Sequence, residues 1–171
     1  MLNVHYLPEN RIQEYQKFVL EKSSSLDEMK LKAGIMGLIE MTKDEAKKIA
    51  KKGDCLLIEY KDKYVPFQIL KINKDDNTLI LQSYYLLENR KFDDNTNVWR
   101  DCDLRRYLNS DFKKNFNKEF IDSLITTDVH TEDYITKDDF WILSHEEVGY
   151  KDENNWFKPN IGTEAYWSQR S

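Results

Sequence analysis

Cysteine is scarce in this chain: Cys55 and Cys102 are the two thiols in 171 residues, far apart and outside any C-x-x-C or Cys/His spacing. That excludes a disulfide framework and a structural zinc site, and two free thiols in a reducing compartment are expected. Glycine is equally thin, five scattered residues, so there is no Gly-rich phosphate loop, and G-x-S-x-G and H-E-x-x-H are missing as well. The three histidines, His5, His130 and His145, stand in unrelated contexts. No apolar run is long enough to span a bilayer, and Met1–Glu9 lacks the basic and apolar regions of an export signal, so the chain is expected to be cytoplasmic, with no membrane partner. No long Lys/Arg block offsets a net charge of −5, which disfavours direct nucleic-acid binding. Lys43, Lys47, Lys48, Lys51 and Lys52 do cluster, but Asp44 and Glu45 among them make a solvated helix face the simpler reading.

What is present reads as an α+β fold. Ile12, Tyr15, Phe18 and Val19 form an amphipathic stripe over about 9–22, closed by Ser23-Ser24-Ser25. Residues 26–31 start a helical turn or a linker, and Gly34 and Gly37 break any long continuation. Thr42-Lys43-Asp44-Glu45 is a capping box opening a helix over 43–52, with Gly53 as its C′ stop. Three runs of strand formers follow, 55–60, 64–72 and 78–85, divided by Lys61-Asp62-Lys63 and Lys74-Asp75-Asp76-Asn77: an antiparallel meander, with a bulge or a late start expected at Pro66. Asp101 is the expected N-cap of a helix over Leu104, Tyr107 and Leu108, stopped by a left-handed Asn109. Asn117 caps the next helix, Phe140–Leu143 is expected to be a short buried strand, and Ser144–Glu147 a further capping box. The expectation is an antiparallel sheet, the meander plus that short strand, together with helices. It divides into an N-terminal helical segment, 1–41, and an α+β domain, 42–171.

Three stretches carry a resemblance: Trp99-Arg100-Asp101-Cys102-Asp103-Leu104-Arg105-Arg106-Tyr107-Leu108-Asn109, then Thr136–Glu147, then Tyr166-Trp167-Ser168-Gln169-Arg170-Ser171. In this order they resemble an uncharacterised domain family of Gram-positive bacteria and their phages, whose pattern is roughly W-x-x-S-x-L-R-x-W-L-N, T-x-D-x-x-F-L-L-S-x-x-E and W-W-x-R-S. The resemblance runs from about Gly53 to Ser171 and implies a compact α+β domain, distantly reminiscent of sulfatase-modifying and C-type-lectin-like folds, and with it a twisted antiparallel sheet flanked by helices. The reactive cysteines of the sulfatase-modifying enzymes have no counterpart here, so that activity does not carry over. Cys102 stands where the family commonly has Ser, and Tyr107 where it often has Trp. The chain stops at Ser171 where relatives continue, a shortened form or a fragment. The sheet edge this would leave invites a protein partner or a second copy of the chain, a homo-oligomer.

The candidate binding residues are Trp99, Arg105 and Asn109 on the signature helix and Trp156, Trp167 and Arg170 near the C-terminus, since aromatics and guanidinium groups serve stacking and bidentate hydrogen bonding. For the helix the structural reading is the stronger: Asp101 and Arg105 are spaced as an intrahelical pair, and a buried Arg ties loops together through its five donors. Whether the late aromatics, Trp141 among them, form core or surface stays open. Asp93, Asp94, Asp138, Asp139, Glu146 and Glu147 make a candidate acidic patch. Phe140–Leu143 interrupts these acids and they contain no calcium-loop spacing, so no metal and no cofactor are expected. Cys102 is the thiol best placed for reactivity, because a helix's first turn lowers a thiol pKa. The family's Ser at that position argues for a small residue near the cap instead. No nucleophile, base and oxyanion hole assemble from the sequence, so no enzyme is expected. The functional expectation is a non-catalytic domain acting through protein–protein or ligand recognition. The alternative is a phage-encoded inhibitor of a host defence nuclease, acting anti-CRISPR-like through its acidic surface.

Overall fold

A computed structural model describes residues 1–131 and 134–143 of the chain. Contacts divide the chain into two compact units, Met1–Tyr85 and Leu86–Ser171. The expected break at 41/42 lies within the first of them, because the N-terminal segment supplies a strand as well as helices.

In the first unit β1 (Asn3–Leu7) leads into a 3-10 turn (Glu9–Arg11), α1 (Ile12–Tyr15) and a π-helical turn (Gln16–Leu20). These form one helical stretch that buries Ile12, Tyr15 and Val19 of the expected stripe and leaves Phe18 exposed. Ser25 caps α2 (Leu26–Ile35), accepting from the Glu28 amide. Helix α2 runs through Gly34 to Ile35, and Gly37 follows its Met36 cap with a φ of 76° that permits the reverse turn in which the Leu38 amide donates back to the Ala33 carbonyl. β2 (Glu40–Thr42) passes into α3 (Lys43–Ile49) through the expected capping box of Thr42 and Glu45. Helix α3 stops at Ile49 and not at residue 52, since Ala50 is already extended. Gly53, at φ 99°, belongs to the turn into β3.

β3 (Cys55–Tyr60), β4 (Lys63–Asn73) and β5 (Thr78–Ser83) form the expected meander. With the first two strands they build an antiparallel sheet of order β2-β1-β3-β4-β5. Pro66 pairs in register with Leu57, and the irregularity lies between Ile69 and Lys71 instead. The Pro66 carbonyl accepts from the Tyr84 amide at 3.0 Å, so the side without a donor faces the end of β5, beyond the paired rows. The β2 edge is short, and the Thr42 amide turns to Glu45 Oε1 at 3.5 Å, which blunts it against strand addition.

One sheet face, with Leu7, Cys55, Leu57 and Tyr64, packs on Ile12, Tyr15, Val19, Met29 and Ala33. The Tyr15 hydroxyl donates to the Tyr64 carbonyl at 2.5 Å. On the same face the Tyr64 hydroxyl accepts from the His5 amide at 3.1 Å and lies 2.8 Å from His5 Nδ1. The opposite face, with Val4, Leu56, Ile58, Val65, Phe67 and Ile69, is buried as well, which is why β3 and β4 read as continuous apolar runs and not as alternations.

The second unit contains a 3-10 turn (Trp99–Asp101), α4 (Asp103–Leu108), a second 3-10 turn (Asp111–Asn115), α5 (Lys118–Ser123) and the hairpin β6 (Thr127–Thr131) and β7 (Tyr134–Asp138). Asn117 caps α5 by accepting from the Phe120 amide at 2.8 Å, as its sequence indicates. Phe140–Leu143 is not a strand; the strand here is β7, a few residues earlier. Thr136 and Asp138 alternate inward along β7 and place its buried side on polar residues, so hydrophobicity points past it. Trp99, Cys102 and Val129 form a small core with Leu104, Leu108, Trp141 and Ile142 packed against it. Beside it the Phe112 ring meets Phe116 and Phe140 edge-on, with centroids 5.3 and 5.1 Å apart. Trp141 therefore belongs to the core. Among the described residues no helix is long and apolar enough to cross a membrane.

Candidate functional site

The signature helix is short, and each of its first amides finds an acceptor. The Asp103 amide donates to Asp93 Oδ2 at 2.9 Å, the Leu104 amide to the Phe92 carbonyl at 3.1 Å, and the Arg105 amide to Cys102 Sγ at 3.3 Å. Cys102, not Asp101, is thus the N-cap, and it has the extended backbone of one. A Ser at this position would make the same bond with a better acceptor. Burial pushes the Cys102 thiol pKa up, and that outweighs the lowering by the Arg105 and Leu104 amides, so the cap position does not make a reactive thiolate. Cys55 is also free and buried.

Arg105 and Trp99 turn toward Asp138. Arg105 Nε donates to Asp138 Oδ1 at 2.8 Å, while Trp99 Nε1 and the Thr136 hydroxyl donate to Oδ2 at 2.9 and 2.6 Å. Arg105 Nη1 also donates to the Arg100 carbonyl at 3.1 Å. The Asp138 side chain has no exposed surface and that of Arg105 is 26% exposed. The expected Asp101–Arg105 pair does not form. Asp101 takes both guanidinium hydrogen bonds of Arg100 instead, and Arg100 lies 3.8 Å over the Tyr134 ring.

Asn109 does not adopt the left-handed stop, having φ −99° and ψ 12°. Its side chain reaches across to the segment after β7. Nδ2 donates to the Arg105 and Phe140 carbonyls at 3.1 and 2.9 Å, and Oδ1 accepts from the Asp139 and Phe140 amides at 2.8 and 3.1 Å. One amide group therefore replaces two rungs of backbone pairing. Next to it Asp139 takes Lys113 Nζ at 2.5 Å and the Thr126 hydroxyl at 2.7 Å. Burial alone would raise the Asp139 pKa, but these two partners hold it below the usual carboxylate value.

The structure thus brings Trp99, Arg105 and Asn109 together on one strand and the segment that follows it. Asp138 and Asp139 are the receivers of these bonds, so Asp138 adds nothing to an acidic surface. Asp93 accepts from the Asn95, Thr96 and Asp103 amides, and these bonds, Asn95 foremost, lower its pKa. Asp94 is exposed and pairs with Lys91 at 2.7 Å. Glu146, Glu147, Trp156, Trp167 and Arg170 lie outside the described residues, as do Ser144 and the stretch 150–165. Lys113 and Thr126 escaped the sequence reading, and Thr136 stood in it only as the first residue of the second stretch, with no role of its own. Thr136 alone had a signal, its Thr-x-Asp spacing to Asp138. Among the described residues no three His, Cys, Asp or Glu side chains gather as metal ligands.

Two of the three stretches singled out in the sequence are therefore halves of one hydrogen-bonded knot. No curated protein and no solved structure matches the chain. Residues 75–171, more than half of its length, match the family described as Domain of unknown function (DUF6273), and the chain belongs to that family.

Proposed function

We propose that the chain is a non-catalytic binding domain that acts through protein–protein or ligand recognition. The observation that carries this reading is the direction of the signature side chains. Trp99, Arg105 and Asn109 turn their polar atoms on Asp138 and on the backbone at 139–140, which makes them scaffold and leaves recognition to other surfaces. Both thiols have raised pKa values through burial, which supports the same reading, since an activated nucleophile requires the opposite shift. Recognition then falls to Trp156 and to Trp167 and Arg170 of the third motif.

The second reading, an inhibitor of a defence nuclease, draws on a charge asymmetry: residues 86–171 hold 18 Asp and Glu against 12 Lys and Arg, and residues 1–85 hold 13 against 14. Its patch must do without Asp138.

Affinity capture of the full chain from its native cells, with mass spectrometry, tests the first reading. A single stoichiometric protein is expected, lost with Trp156→Ala, Trp167→Ala or Arg170→Ala at unchanged thermal stability. A clean null accompanied by turnover of a metabolite overturns it.

A further inference from the structure

The lysine cluster of α3 carries a second inference, independent of the knot. Its sequence suggested a face neutralised by Asp44 and Glu45, but among the described residues neither carboxylate forms an ion pair with these lysines. The Glu45 carboxylate folds back to the Thr42 hydroxyl at 3.1 Å. Among the described residues none of Lys43, Lys47, Lys48, Lys51 and Lys52 forms an ion pair, whereas Lys30 and Lys32 in the same unit do. Lys48, Lys51 and Lys52 are exposed, and between them Ile49 is an aliphatic side chain left 48% exposed.

The turn carrying these groups is fastened from beneath. The Lys51 amide donates to the Tyr6 hydroxyl at 3.1 Å, and that hydroxyl donates to Asp54 Oδ2 at 2.6 Å. Asp54 Oδ1 accepts from the Glu9 amide at 2.8 Å, and the Gly53 carbonyl from Gln68 Nε2 at 3.0 Å. The Gly53 amide and the Asp54 carbonyl bond to Ile69 of β4 at 2.9 and 2.8 Å. The lysine stems therefore project from a rigid platform, which lowers the ordering cost of binding.

We propose that the outer side of α3 and the turn 50–53 dock an acidic segment of a partner protein, with Ile49 as the apolar centre and the lysines as its charged rim. Two observations favour a protein over other polyanions. The stretch from Lys43 to Lys52 holds no aromatic on which a base would stack. One isoleucine is too little apolar surface to seat a helix in lipid, but it suits the centre of a small, polar-rimmed protein interface.

The test measures anisotropy of a fluorescein-labelled peptide of repeated Glu-Glu-Leu against the full chain at physiological ionic strength. Single-stranded RNA and vesicles of phosphatidylcholine with phosphatidylserine are the comparison probes. Saturable peptide binding is expected, weakened about tenfold by Lys48→Glu/Lys52→Glu and severalfold by Ile49→Ser, as a rim and a centre would respond. The control pair Lys17→Glu/Lys74→Glu changes the net charge equally and should weaken it less than about threefold. Circular dichroism checks each fold, and Lys48→Glu alone should give a smaller loss in the same direction. Absence of peptide binding, equal losses in both pairs, or tighter binding of RNA or vesicles overturns the proposal. Each of these leaves the reading from the knot standing, since that rests on other residues.

Discussion

Arg105 donates through Nε to Oδ1 of Asp138, a carboxylate 33 residues further along the chain with no exposed surface. That bond, with those of Trp99 and Thr136, ties α4 to β7. Removing the guanidinium leaves a buried charge with only neutral donors, so Arg105→Ala should destabilise the second unit by about 3 kcal/mol in denaturant unfolding. Arg105→Ala/Asp138→Ala should cost less than the sum of the two single changes. Additivity would show that the pair is not coupled.

Cys102 caps α4 through sulfur, a weak acceptor. Cys102→Ser should hold stability or raise it by up to about 1 kcal/mol, whereas Cys102→Ala should lower it by about that amount. With both thiols buried and their pKa values raised, a thiol reagent should react only at the rate of unfolding. Rapid labelling of native protein would contradict the placement of Cys102.

His5 has its pKa lowered below 6.5, chiefly by burial, with Glu40 opposing and Lys30 adding to the shift. The His5 amide already donates to the Tyr64 hydroxyl oxygen, so that hydroxyl's own proton is free for Nδ1 and the neutral ring fits. A histidine with a depressed folded pKa takes up its proton more readily when unfolded. Its contribution to stability is therefore complete above pH 6.5 and is lost as pH falls from there through the folded pKa. Unfolding measured across this range should show the decline, and His5→Gln should flatten it.

Two glycines should respond with opposite signs. At Gly34 in α2 nothing lies within 4 Å of an added Cβ, so Gly34→Ala should stabilise by about 0.5–1 kcal/mol. At Gly53 the Cβ would collide with Glu9 Oε2 and the φ is 99°. The Glu9 carboxylate is a flexible tip that can withdraw, but the backbone strain stays, so Gly53→Ala should cost about 1–2 kcal/mol. The Glu9→Ala background should relieve little of it; full rescue would mean that the contact, and not the φ, matters.

Local codes were legible where one stretch of chain carries the whole instruction. The capping box of Thr42 and Glu45, the Asn117 cap and the three apolar runs between polar turns each stood in the sequence and in the structure. Misreadings arose where a residue's partner is remote. Asp101 has the composition of an N-cap, yet Cys102 is the cap, because the chain ahead of α4 runs back past Asp93 and Phe92, whose acceptors supply the remaining first-turn amides. β7 eluded hydrophobic patterning because the side chain at its buried end, Asp138, is charged.

By itself the sequence determined the α+β class, the meander, the helix starts at Thr42 and Asn117 and the prominence of Trp99, Arg105 and Asn109, because periodicity and capping act over a few residues. Only the tertiary structure decided what those three residues do. A carboxylate such as Asp138 looks the same in sequence whether it faces water or a guanidinium, and its burial became tolerable only when folding brought Trp99, Arg105 and Thr136 within hydrogen-bonding distance.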